Sequence, residues 1–405
     1  MKRLLLHFFA IILLACSRGG VVYIEEVRLT PERCAPGEEV VLEVVTVEGV
    51  DVTLSWYAPG GSIDSEVWTA PQKTGLYAIL AIAADPDGET DTLAGFVVVA
   101  DSAVTERQKL LRDTRFWAYQ IQALVEDGAI DALVATHYDM LVLDNARTDK
   151  EDVNFDMKGA VSRLKSSNGS SGQRKLVLCY IDIAEAETWR WYWQSGWGVG
   201  NPDFIVAPDP DGWEDNYPVK YWDPDWQAIM YGNDSSYIAK ILDDGFDGIY
   251  MDWIEACRFE DVMELHPDPD QAMIDFVGAM ADYAHSVDPD FLVVAQNATE
   301  LGVYPDWLAI IDAEAQEQVL FDGDSDPKGA PGDYRMDPTG EFSTTYYINN
   351  LRLFQAEGIP CFVCDYAEKK HNVEEAYEHG ASQGFIEYVS TRQLEKLTDN
   401  PPPGY

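Results

Sequence analysis

The chain has 405 residues, too many for one ordinary core, and a two-domain layout is the default at this length. Hydrophobic residues make up 46% and aromatic residues 12%, which argues against wholesale disorder. With 71 acidic against 28 basic residues and a formal charge of −43, nucleic acid is excluded as a natural partner, because phosphate binding needs clustered Lys and Arg. The acidity suits a cationic ligand and equally suits a solvated surface in salty surroundings.

Residues 1–16 have the layout of an export leader. Lys2 and Arg3 form a charged start, Leu4 to Leu14 an apolar stretch too short to span a bilayer, and Leu13-Leu14-Ala15-Cys16 resembles a lipobox. The expectation is cleavage before Cys16, lipidation of its thiol and anchoring at a bacterial cell envelope. A plain secretory leader with an incidental Cys is the alternative. The remaining cysteines (Cys34, Cys179, Cys257, Cys361 and Cys364) are odd in number and form no disulfide framework.

Residues 17–101 carry short β-rich runs separated by Ala35-Pro36-Gly37, Ala58-Pro59-Gly60-Gly61 and Asp85-Pro86-Asp87-Gly88. Strands at this spacing predict a small all-β sandwich. Trp68-Thr69-Ala70-Pro71, Gly75-Leu76-Tyr77 and the Asp85 turn resemble the immunoglobulin-like or PKD type of surface module. Residues 102–115 read as a linker or lead-in helix, and 396–405 as a disordered tail.

From residue 116 to 395, apolar runs alternate with amphipathic stretches, the pattern of repeated β-α units. Eight strands are predicted, at 117–122, 140–144, 176–182, 248–253, 292–297, 308–314, 360–366 and 384–389. They predict an α/β fold, a (β/α)8 TIM barrel. A doubly wound open sheet is the alternative, but no Gly-x-Gly-x-x-Gly turn follows the first strand. The interval between the third and fourth strands is long and rich in Trp and Tyr, including Trp189, Trp191, Trp193, Trp197, Trp213 and Trp226. Most of these rings are expected to pack the insertion down, with two or three left as a platform for sugar.

Acids recur near the predicted strand tips: Asp144, Asp182, Asp252, Glu314, Asp365 and Glu387, joined by Gln120 and Asn297. The tips of a parallel barrel point one way, so these groups would converge on one mouth. Tyr250 shares the face of Asp252. Glycosidic cleavage uses two carboxyl groups, one giving a proton to the departing oxygen and the other attacking carbon or activating water. Asp144, Asp182 and Asp252 also offer a carboxylate set for a divalent metal, although neither metal nor cofactor is expected. His residues are scattered, and a serine elbow and a P-loop are absent.

Trp117-Ala118-Tyr119-Gln120, Tyr180 to Glu187, Asp247-Gly248-Ile249-Tyr250-Met251-Asp252, Ala295-Gln296-Asn297 and Asp312-Ala313-Glu314 together resemble glycoside hydrolase family 114, over about residues 116–389. The resemblance implies a TIM barrel with endo-α-1,4-polygalactosaminidase activity. It further implies Asp252 as nucleophile or base, Glu314 as general acid, and Tyr180, Asp182 and Asn297 lining the sugar site. Gln120, Asp144, Tyr250 and Asp365 complete the expected substrate-binding set. The expected function is an exported, lipid-anchored hydrolase of an α-linked, cationic amino-sugar polysaccharide. A non-catalytic carbohydrate-binding surface protein is the competing reading.

Overall fold

A computed structural model describes residues 23–405 apart from 31–32, 48, 50, 73–74, 87, 100–103, 211 and 323–332. The leader and Cys16 lie outside the described residues. The chain divides into two compact units, Met1–Thr105 and Glu106–Tyr405.

The first unit is all β. Its strands are β1 (Ile24–Thr30), β2 (Arg33–Cys34), β3 (Glu39–Thr46), β4 (Thr53–Tyr57), β5 (Ser62–Asp64), β6 (Val67–Thr69), β7 (Gly75–Ala84) and β8 (Thr90–Val99). They form two four-stranded sheets, ordered β1-β3-β6-β5 and β2-β8-β7-β4. Alternation decides which face is buried: in β3, Val40 and Leu42 are buried while Glu39, Val41 and Glu43 are exposed. Both inner faces meet in a core of Leu29, Val40, Leu42, Trp68, Ile79 and Val97. Burying such side chains is the main force holding two small sheets together.

The second unit opens with a helix, Glu106–Arg112, and then builds eight parallel strands. These are β9 (Trp117–Gln120), β10 (Met140–Asp144), β11 (Leu176–Asp182), β14 (Gly248–Asp252), β15 (Leu292–Gln296), β16 (Ala313–Asp322), β17 (Cys361–Tyr366) and β18 (Ile386–Ser390). A short antiparallel pair, β12 (Glu185–Glu187) and β13 (Asn216–Pro218), sits within the long connection after β11. The sheet runs in chain order from β9 to β18, and the Trp117 indole bridges the seam by donating to the Ile386 carbonyl at 3.0 Å. This is a TIM barrel preceded by an all-β unit.

Its helices pack outside by sequence pattern. In Pro269–Val287, Met273, Ile274, Phe276, Val277, Met280, Ala281 and Ala284 are buried, a stripe of helical period. The Asp268 side chain caps the helix at Gln271 N, and Pro269 occupies its first turn. At the base of β14, Asp247 is fully buried among Arg107, Lys165 and Arg174, with ion-pair distances of 3.1, 2.8 and 2.9 Å. Gly248 follows because a side chain there would meet the Leu292 carbonyl at 2.4 Å.

Two expectations are corrected. The sixth strand is not 308–314: Pro305–Ile310 is a helix with proline at its start, and β16 begins only at Ala313. The apolar run Trp307-Leu308-Ala309-Ile310 faithfully signals burial, but it is a helix rather than a strand. The tail is ordered. Gln120 donates to the Glu395 carbonyl at 3.1 Å, Tyr388 accepts from Thr398 N at 3.1 Å, and the Tyr405 ring lies 4.5 Å from Tyr138. It therefore runs beside β9 and β18, ending against Tyr138 and Phe116. The five cysteines of the described residues are unbonded and buried.

Candidate active site

Register decides which acids can meet. Tyr180 pairs with Tyr250 and Asp182 with Asp252 on adjacent strands, so these four share one face of the sheet. That face is the barrel interior, since Trp117 on β9 contacts Tyr250 on β14 at 6.1 Å and Phe362 on β17 at 5.5 Å. Following the ladder, Tyr250 pairs with Val294, Val294 with Ala313, Gln296 with Ala315, and Glu317 with Cys364. By two-residue alternation Asp144, Asp182, Asp252, Gln296, Glu317 and Tyr366 point inward, toward the mouth.

Glu314, Gln120, Asp365 and Glu387 fall on the opposite parity and face away from the axis. Glu314 pairs with Ala295 near the start of β16, is fully buried, and accepts a hydrogen bond from Ala298 N at 3.0 Å. Burial drives its carboxyl well above the usual range. The structure does not bring it to Asp252. The reason is the strand start: with β16 beginning at Ala313, the residue at the tip is Glu317. Asp365 is buried and accepts from Leu320 N and Phe321 N at 2.8 and 3.1 Å. Gln120 donates to the backbone of Gln122 and Glu395. Neither of them lines the mouth.

At the mouth, Asp252 Oδ2 accepts from the Tyr180 hydroxyl at 2.9 Å and Oδ1 from Trp253 N at 2.9 Å. Glu317 has a different setting. Its Oε2 accepts from Asn297 Nδ2 at 2.9 Å, and the Tyr366 hydroxyl donates to Oε1. Burial first, and then the negative charge of Asp252, push the Glu317 carboxyl up to about 7. Asn297 in turn accepts from Gln316 Nε2 at 2.9 Å and Glu317 N at 3.0 Å. Its backbone is left-handed, with φ of 59°, which turns its amide back over β16. Asn297 thus holds a carboxyl rather than presenting a free amide.

Asp182 accepts from Ala184 N and Glu185 N at 3.1 and 2.9 Å. Burial and the charges of Glu185, Glu187 and Asp252 raise it well above the carboxylate range. Burial and the charge of Asp209 take Glu185 to about 9. Asp144 and Glu187 share the buried Arg190. Its Nη1 donates to Asp144 at 2.9 and 3.0 Å, and its Nε to Glu187 at 2.6 Å. Tyr250 is fully buried, its ring 5.2 Å from that of Tyr119 and tilted by 52°, forming floor beneath Asp252 rather than lining. Among the described residues, no group of three or more His, Cys, Asp or Glu side chains could hold a metal ion.

Glu317, Tyr366 and Arg190 were not in the sequence-derived set. The signal for Glu317 is there in Ala313-Glu314-Ala315-Gln316-Glu317, where small residues alternate up to an acid. Reading it requires knowing that Pro305 opens a helix.

Two carboxyl groups that point into the C-terminal end of a parallel barrel, one of them raised by burial and by the charge of the other, are the equipment of glycosidic cleavage. Residues 99–401 match the model of glycoside-hydrolase family GH114. The chain belongs to that family. This GH114 member is accordingly a glycoside hydrolase. It is 33% identical over 233 residues to an uncharacterized protein of Deinococcus radiodurans, covering 58% of this chain and 70% of that one. It is 27% identical over 297 residues to an uncharacterized protein of Methanocaldococcus jannaschii, covering 69% and 77%. The glycoside hydrolase domain of PelA from Pseudomonas aeruginosa shares the fold, with TM-score 0.52, 16% identity, and coverage of 71% of this chain and 98% of that one. Ega3 of Aspergillus fumigatus, solved with galactosamine, does so with TM-score 0.50, 16% identity, and coverage of 71% and 95%.

Proposed function

We propose that this glycoside hydrolase cleaves an α-linked, cationic amino-sugar polysaccharide of the galactosaminoglycan kind. Glu317 acts as general acid and Asp252 as nucleophile or base. The observation that carries the reading is that two carboxyls point into one mouth: Glu317, pushed up to about 7 first by burial and then by the charge of Asp252, and Asp252, held by the Tyr180 hydroxyl and Trp253 N. A protonated Glu317 can then serve the leaving oxygen while Asp252 faces the anomeric carbon. Tyr180, Asn297 and Tyr366 fix the two groups in place. The acidity of the chain as a whole, a formal charge of −43, is compatible with an ammonium-bearing sugar. The galactosamine bound by Ega3 is consistent with this substrate class.

The same reading places the enzyme outside the cytoplasm, anchored through Cys16, with residues 17–101 as an immunoglobulin-like spacer between the anchor and a barrel spanning 116–395. The test is reducing-end release from galactosaminoglycan by purified parent, Asp252→Asn, Glu317→Gln and Glu314→Gln proteins. The first two variants lose about 10²- to 10⁴-fold in rate, and Glu314→Gln keeps the parental rate within about threefold, which is about 0.65 kcal/mol in activation free energy. Parental rates for Asp252→Asn and Glu317→Gln refute the assignment.

A further inference from the structure

The acids on the Asp252 side of the barrel are held by two different means. Asp144 and Glu187 share Arg190, at 2.9 and 2.6 Å. Asp182 and Glu185 are 1% and 0% exposed, and among the described residues no cation pairs with either. A bare carboxylate in such a place is strongly disfavoured. β11 ends at Asp182, and the chain turns through Ile183 and Ala184 into β12 at Glu185. The turn wraps the Asp182 side chain, whose Oδ1 accepts from Ala184 N and Glu185 N at 3.1 and 2.9 Å. From β13, Asn216 Nδ2 donates to Glu185 Oε2 at 3.0 Å. Left over are Asp182 Oδ2 and Glu185 Oε1, both buried, which among the described residues receive no N–H or hydroxyl hydrogen.

The two side chains bond to each other, and these are the oxygens left to do so. A carboxylate only accepts, so a bond between two carboxyl groups requires that one carry a proton. We propose that one proton bridges Asp182 and Glu185 at neutral pH, and that both are positioning residues which limit the negative charge set against Asp252. The ladder puts Asp182 beside Asp252: the two are partners on adjacent strands and share the inner face. Ile183 N also donates to the Asp252 carbonyl at 3.2 Å. A nucleophile or base acts only when ionised, and a further charge on the next strand would keep the Asp252 carboxyl protonated to higher pH. The other groups facing the pair are Glu187, Asp209 and Asp252, with the Tyr180 and Tyr192 hydroxyls. The three acids all favour retention of the bridging proton. The effect on Asp252 rests on the proposed glycosidase reading; the proton itself does not.

The experiment compares the full chain with Asp182→Asn and with the double variant Asp182→Asn, Glu185→Gln. Each amide keeps the shape of the acid it replaces, and the first puts an N–H where the proton stood. Protons released on transfer into denaturant at pH 7 are counted with an indicator dye. The bridging proton leaves when the chain unfolds, because an exposed Asp or Glu titrates at about 4. The parent is therefore expected to release about one proton more than either variant, and equal release overturns the bridge. Reducing-end assays on galactosaminoglycan give kcat/KM against pH. The acidic limb of Asp182→Asn is expected at the parental pH, since the amide stands in for an acid that already shares a proton. A limb displaced to lower pH shows a full charge on Asp182 in the parent and overturns the proposal. A parent that cleaves no galactosaminoglycan refutes the proposed function instead, and the proton count alone then decides the bridge.

Discussion

Replacing Glu317 by Gln separates the chemistry of the site from its cost to the fold. The side chain keeps its shape, and its amide can still accept from Asn297 while donating to the Tyr366 oxygen, so packing is preserved. What disappears is a carboxyl displaced from its ordinary 4.5 to about 7. That displacement corresponds to about 3 kcal/mol against the charged form, and because Glu317 keeps some solvent contact, screening reduces it to about 2 kcal/mol. Below about pH 4.5 the acid is protonated in folded and unfolded chains alike, and its folded-state preference for the proton contributes in full. As pH rises through about 7 that contribution is lost from the parent but not from Glu317→Gln. Thermal melts of the two proteins are therefore expected to diverge between pH 4 and pH 8, the variant gaining about 4 °C relative to the parent. Over the same range its hydrolytic rate stays about 10²- to 10⁴-fold down. Identical pH dependence of melting in both proteins would refute the claim that Glu317 is a raised, buried acid.

Two other substitutions probe the groups around this pair. Tyr366→Phe removes a donor to the Glu317 carboxylate, so the Glu317 value rises and the alkaline limb of the kcat/KM profile moves to higher pH; a limb that stays in place or moves down contradicts the contact. Arg190→Met leaves Asp144 and Glu187 without their shared cation, destabilising the barrel by about 3–5 kcal/mol near neutral pH. Denaturant midpoints should show that deficit shrinking in acid, as the two orphaned carboxyls take up protons; a deficit independent of pH would place the effect in packing alone.

Much of the barrel can be read from residue order because each strand carries its own local signature. Met140-Leu141-Val142-Leu143-Asp144 and Gly248-Ile249-Tyr250-Met251-Asp252 are continuous apolar runs ending in an acid, and both strands appear at those positions. Where the signature is ambiguous, the position of the reacting acid is ambiguous with it. An apolar run led by Pro305 reads as strand or helix with equal ease, and choosing strand shifted the expected acid from Glu317 to Glu314. Asn297 was expected among the sugar contacts, but its bonds to Glu317 depend on a partner 20 residues away. Arg190 meets Asp144 across 46 residues. Such pairings depend on closure of the sheet, and a linear pattern carries no trace of them. The tail follows the same logic: Pro401-Pro402-Pro403-Gly404 predicts no regular structure, which is not the same as having no place to pack.

Three links around the mouth share an unusual backbone. Trp253, Asn297 and Gln318 have φ of 62°, 59° and 57°, in the region where a residue with a side chain sits at a cost of about 1–3 kcal/mol. Each follows directly on a reacting carboxyl or grips one. Heat tolerance and turnover are thereby set against each other in this enzyme. A selection for hotter-running variants is expected to find glycine at these joints, relaxing the backbone there, and the survivors should be sturdier proteins whose acids are less firmly aimed.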